Sequence, residues 1–311
     1  MKKVILLLIT LIPFYLVSFS QIIIRGTGSL PPGGTSGTPT RIQVTKSKTE
    51  QEKIDEATIR CYYKFTQPVT VEKEKFQQAD TLTLDIGSKV SVYYDGMRMQ
   101  RDSLFGAMMS EQVNPNTIQS ISVLKDQDAS SFDSSQGTSF ERTNKGETAK
   151  IYKYRHDGEI VVVDRNESSI ELYQYTEKEV PVWNITSDTL TVLGYTCQKA
   201  TTDFHGRTYE AWFAPDVPVN DGPWKFYGLP GLILKATDSE NLFTFEIIGL
   251  EQLATPRDIV RENGESIKTN RKDLAKLKKR QSGGMSVNIN GGNVTMIRKE
   301  NKNEYTPLET E

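Results

Sequence analysis

Alternating apolar and polar positions dominate the chain beyond residue 55. The runs 58–66 (TIRCYYKFT), 81–86 (TLTLDI) and 89–95 (KVSVYYD) are rich in β-branched and aromatic residues and read as strands. Paired runs follow. Segments 149–154 and 160–164 flank Asp157-Gly158, a two-residue hairpin signal. Segments 195–204 and 207–214 flank His205-Gly206, and 232–237 and 242–250 flank DSEN. A further strand is expected at 118–124, another at 169–175, and a hairpin at 286–297 around Asn290-Gly291-Gly292-Asn293. Helical spacing replaces alternation in two places. Leu104, Phe105, Met108 and Met109 share one helix face over 102–113, with Asp102 as the expected N-cap. Residues 270–281 form a basic helix capped by Asn270, and Thr255-Pro256 reads as a helix start. Consecutive hairpins predict a mainly β fold, a curved antiparallel sheet or half-barrel meander with one or two covering helices.

The first twenty residues break this pattern. MKK precedes an apolar run over 4–19 that is short for a membrane span, and Ser18 and Ser20 supply small residues before Gln21. This predicts a signal peptide over 1–20. Residues 21–54 contain a Gly/Pro/Ser/Thr-rich stretch that cannot bury a core and read as a flexible leader. Residues 55–311 then form one β-rich domain, with a polar, Ser-rich mobile loop at 126–147.

Charge narrows the classes. Removing Lys2 and Lys3 from the 38 basic residues leaves 36 against 40 acidic ones, a net of −4. That balance argues against a general nucleic-acid binder. Cys61 and Cys197 are the only cysteines, and the sequence leaves open whether an exported chain bonds them or buries both as thiols. There is no phosphate loop, no nucleophile elbow, no HExxH and no CxxC, so no cofactor and no metal set is expected.

One stretch stands apart: 222–236, GPWKFYGLPGLILKA. Pro230-Gly231 suggests a type II turn with positive φ at Gly231, leading into an apolar strand. Trp224, Phe226 and Tyr227 could rim an apolar pocket together with Trp212 and Arg207. Carboxylates with Arg207 in the sheet's concavity would instead suit a hydrolase. Met97, Met99, Met108 and Met109 offer thioethers for Cu(I), a third reading.

Residues Gly228, Leu229, Pro230, Gly231, Leu232 and Ile233 spell GLPGLI, and the whole block 194–238 resembles the core of the GLPGLI family, exported Bacteroidetes proteins of undefined function. Segment 305–309, YTPLE, is similar to that family's Asn-Pro-Ile-Glu ending, with Thr306 and Leu308 departing from it. The resemblance implies a cell-envelope protein, periplasmic or, as the alternative, extracellular, without established catalytic residues. The expected role is a non-enzymatic binding or accessory protein for an apolar ligand or an envelope partner.

Overall fold

The structure, a computed structural model, describes residues 20–25, 43–48, 51–112, 117–125, 135–143, 146–165, 172–262, 266–278, 284–299 and 303–310. The expected signal peptide up to residue 19, the leader stretch 26–42 and residues 126–134 of the expected loop lie outside these.

The described chain opens with β1 (Ser20–Arg25) and β2 (Gln43–Lys48), an antiparallel pair. Next come β3 (Gln51–Val71), β4 (Glu74–Gly87), β5 (Val90–Tyr94) and α1 (Gly96–Gln112). Then follow β6 (Ser120–Lys125), β7 (Thr138–Thr143), β8 (Lys150–Tyr154), β9 (Glu159–Arg165), β10 (Leu172–Glu177) and β11 (Asn184–Val192). The signature region lies between β12 (Tyr195–Phe204), β13 (Arg207–Ala214), β14 (Leu232–Asp238) and β15 (Thr244–Glu262). The chain closes with β16 (Ser266–Lys268), α2 (Arg271–Lys278), β17 (Gly284–Asn290), β18 (Asn293–Lys299) and β19 (Asn303–Tyr305).

Most strands join one open sheet in the order β11-β12-β13-β14-β15-β3-β4-β5-β8-β9-β10-β16, with β19 added to β3. The fold is therefore mainly β, as the alternation predicts. The sheet is mixed, because β10 and β16 run parallel. Strands β6, β18, β17 and β7 make a separate small sheet. It takes β7 from inside the segment expected as a loop.

Two apolar cores lie on opposite faces of the main sheet. The larger gathers Tyr63, Leu84, Tyr93, Ile160, Ala211, Phe213 and Leu234 on the concave face. The smaller gathers Ala57, Val90, Val92, Tyr152, Val161 and Ile259. Tyr152 on β8 donates its hydroxyl to the Val260 carbonyl at 3.0 Å. Three strands separate β8 from β15 along the sheet, so the second half of β15 must fold over the outer face. Register shifts in the β15–β3 ladder, the largest between Gln252 and Arg257, supply the bend.

Three expectations are corrected. Thr255 and Pro256 do not start a helix. They sit inside β15 at that irregularity, where proline costs the ladder no hydrogen bond. The first helix starts earlier than expected. Asp95, not Asp102, caps α1: its Oδ1 accepts from the Arg98 amide at 2.8 Å, and Asp102 pairs with Arg98 one turn on. Asn270 does cap α2, accepting from the Asp273 amide at 2.9 Å. Among the described residues no helix is long and apolar enough to cross a membrane.

Candidate functional site

The connection 215–231 between β13 and β14 does not project from the sheet. It dives into the concavity. Trp224, Phe226, Tyr227 and Leu229 are buried, and they belong to the same core as the concave faces of β3, β4, β8, β9, β12 and β13. Trp224 and Phe226 meet edge to face at 5.0 Å between ring centres, and Phe226 meets Tyr209 at 4.8 Å. The signature loop is a plug.

Its glycines follow from that path, though not as expected. Gly228, not Gly231, holds the left-handed backbone, at φ 102°. Gly231 is needed for close approach. A Cβ there would lie 2.3 Å from the Ala214 carbonyl oxygen, across the mouth of the β13–β14 pair.

An inner charge cluster anchors the plug from beneath. Lys153 projects from β8 into the concave core, and its ammonium meets Asp221 at 2.5 Å. Both side chains are at most 1 % exposed. The Lys153 ammonium also donates to the carbonyls of Gly222 and Phe226. Arg155, in the turn just past the end of β8, takes the other Asp221 oxygen at 2.7 Å and donates to the Gly87 carbonyl at 2.6 Å. Burial pushes the Lys153 ammonium below its ordinary range, and Asp221 opposes that shift. A buried charge of this kind survives only when paired and hydrogen-bonded, and this one is.

A second cluster holds the plug at the rim. Lys225 reaches Glu177 on β10 at 2.7 Å, Glu309 at 2.5 Å and the Tyr175 hydroxyl at 3.1 Å. His205 sits in the β12–β13 turn at φ 51°, followed by Gly206 at φ 77°, the left-handed pair that a two-residue hairpin requires. Its Nε2 faces Glu177 at 3.5 Å, and its Nδ1 faces Glu179 at 3.1 Å and Arg271 of α2. The ring thus lies between two carboxylates and the Arg271 guanidinium. Burial pushes Glu177 up, but the bonds from His205 and Lys225 outweigh it and hold the carboxyl below its ordinary range. Five separate chain segments thus meet around one ammonium group.

The expected pocket rim divides. Trp224, Phe226 and Tyr227 come together, but as core. Trp212 faces the other side of β13, because strand side chains alternate and its neighbours Ala211 and Phe213 point inward. Its indole N–H donates to Glu210 at 2.9 Å. Arg207 lies at the start of β13 and holds segment 303–310: its guanidinium donates to the carbonyls of Pro307 at 2.9 Å and Leu308 at 3.1 Å.

Cys61 and Cys197 are both buried free thiols. Cys61 is on β3 and Cys197 on β12, with β13, β14 and β15 between them in the sheet. Four strand spacings, about 19 Å along the sheet, exceed the reach of a disulfide. Burial also pushes the Cys61 thiol well up, which makes it inert. The four methionines lie along α1, where Met97 and Met108 are about 16 Å apart along the axis. Among the described residues no group of three or more His, Cys, Asp or Glu is placed to hold a metal ion.

Open space lies at the plug's outer end. A cleft of about 780 Å³ runs between the β3–β4 pair and residues 218–220. Ile54, Ile59, Ile86, Pro218 and Val219 give it apolar walls, with Lys53, Glu56 and Arg155 at its edges. Sequence reasoning passed over this cleft, and over Asp221, Lys225, Glu177, His205, Arg271 and Glu309. The available signal was a lone aspartate and a lone lysine inside an aromatic, apolar stretch, where a charge needs a partner.

A family model described as "Protein of unknown function (Porph_ging)" matches residues 205–235, from the β12–β13 turn through β13 and the plug into β14. No curated protein matches the chain. Two solved structures of PNGF-II are similar over 71 % of this chain, at 13 % and 14 % identity with TM-scores of 0.41 and 0.40. The chain spans about a third of their length, 33 % in each case.

Proposed function

We propose that this is an exported cell-envelope protein of the GLPGLI type, periplasmic, and that it holds an amphipathic ligand without catalysing a reaction on it. The cleft of about 780 Å³ carries this reading. Its volume lies in the range of small-molecule sites, and its mixed lining, with Ile54, Ile59 and Val219 beside Lys53, Asp55 and Arg155, suits a ligand that is part apolar and part charged. The signature loop supports the reading indirectly. Pro218 and Val219 form one wall, and the inner charge cluster fixes that wall through Asp221. The chemistry of the loop in this reading is architectural, and it shapes the site from behind.

Native mass spectrometry of protein isolated from its own envelope fraction tests this. A bound amphiphile is expected on the wild-type chain and not on a Val219→Arg variant that closes the cleft. An empty wild-type chain that also crosslinks to no partner contradicts the proposal.

A hydrolase reading draws on the rim cluster, where Glu177, Glu309, His205 and Lys225 converge. Against it, each of these groups is engaged by another, and none of them lines the cleft of about 780 Å³ or the smaller one formed by Pro218, Asn220, Gly228, Leu229 and Pro230.

A further inference from the structure

Segment 303–310 is held in the way a bound peptide is held. On one edge, β3 pairs with β15 up to Thr66 and leaves residues 69–71 open; β19 fills that place as an added strand, Asn303 opposite Val71 and Tyr305 opposite Val69. The following residues cross the β12–β13 turn. Arg207 clamps the Pro307 and Leu308 carbonyls, and the Tyr209 hydroxyl adds a bond to Leu308 at 3.4 Å. Leu308 packs against the main core. Glu309 takes Lys225 at 2.5 Å and Arg271 at 3.6 Å. Thr310 bonds the His205 carbonyl through its amide at 3.1 Å and the Gly206 carbonyl through its hydroxyl at 3.0 Å.

Strand addition, a clamp on backbone carbonyls, a seat for one apolar side chain and paired cations for one carboxylate are the parts of a peptide-recognition groove. Apart from the segment itself, every part comes from β3, the β12–β13 hairpin, the plug and α2. The β19 end of the groove and the proposed ligand cleft lie at opposite ends of β3.

We propose that this groove is a peptide-binding site, that segment 303–310 is its exchangeable occupant, and that the same segment of a second copy of the chain occupies it in trans. The recognised chemistry is an extended stretch carrying a Leu-Glu pair, its carboxylate complementary to Lys225 and Arg271. A second copy carries that stretch by identity, and exchange of a segment between copies needs no new contact.

The experiment uses the full chain with a protease site placed between Lys299 and Asn303. After cutting in the folded state, the freed segment is expected to co-elute with the body. A labelled peptide of residues 303–311 should then replace it, and a Glu309→Gln peptide should bind about tenfold more weakly, as loss of one charge-assisted contact implies. Release of the segment from a body that stays folded overturns the proposal. So does unfolding of the body on cutting, which would make the segment part of the core, and so does equal binding of a scrambled peptide. Uncut heavy- and light-isotope chains, refolded together at high concentration and treated with carbodiimide, test the second copy. Lys225–Glu309 crosslinks joining heavy to light chains are expected, and crosslinks within single chains alone overturn occupancy in trans.

Discussion

The two charge clusters that hold the plug differ in every respect except their purpose. The inner one is made by one acid and two cations, from β8 and the turn that follows it, and the Lys153–Asp221 pair lies wholly inside the concave core. The rim cluster draws on the plug, β10, the β12–β13 turn, α2 and segment 303–310, and Glu179 at its edge is 65 % exposed. Low dielectric makes a broken inner pair expensive; Lys225 is equally buried, but its partners Glu177 and Glu309 are 12 % and 18 % exposed, so the acidic side of the rim cluster reaches water. The inner cluster therefore fixes where the plug lies. The rim cluster decides which loosely attached segments stay docked on it.

The largest expected effect comes from breaking the inner pair on its acidic side. Asp221→Asn leaves Lys153 charged and without its counter-ion, and should cost about 3–5 kcal/mol in urea unfolding. At the rim, Glu309→Gln removes one of two carboxylates from Lys225 and should cost about 1.5–3 kcal/mol, with segment 303–310 exchanging its amides faster. The pH response separates the clusters by pH window, because both groups are held low and each makes stability rise with pH in its own range. Glu177 is held below its ordinary value of 4.5, so its contribution is present above that pH and is lost as pH falls through the lower folded value. Lys153 is held below its ordinary value of 10.5, so between its folded value and 10.5 the unfolded chain binds more protons and stability rises with pH. The acid limb of a stability–pH curve should flatten in Glu177→Gln, and the alkaline limb in Lys153→Met. Smallest of all is Trp212→Ala. It removes a half-buried ring from the outer face and should cost under about 1 kcal/mol, against about 3–5 kcal/mol for Phe226→Ala in the plug. Equal costs for these two variants would mean that the loop is not the core element described above.

Much of this could be read in the sequence. Alternation and two-residue turns located most strands, including the hairpin on His205-Gly206, because those signals are local. The side of β13 on which Trp212 falls was not legible, since Ala211, Trp212, Phe213 and Ala214 form an unbroken apolar run in which alternation leaves no mark. What was hidden depends on distant partners. Lys225 meets residues 50 and 84 positions away, and no local pattern reports such a meeting. The role of Gly231 was hidden for the same reason. Pro-Gly suggests a turn by its own chemistry, but the close approach to Ala214 arises only once two strands are side by side. Aromatic residues beside glycines look like a binding rim when the surrounding sheet is unseen. Once the sheet curls around them, the same residues are its filling.

Amide hydrogen exchange across the plug tests this account most directly. The amides of Phe226, Leu232 and Ile233 bond the carbonyls of Pro223, Val217 and Asp221 at 3.0, 2.9 and 3.0 Å. Peptides covering 221–233 should therefore exchange as slowly as β13 and β14 in the ligand-free protein, and faster in Asp221→Asn. Fast exchange of 221–233 in the wild-type chain, slowed only when a ligand is added, would contradict the plug and restore the binding loop.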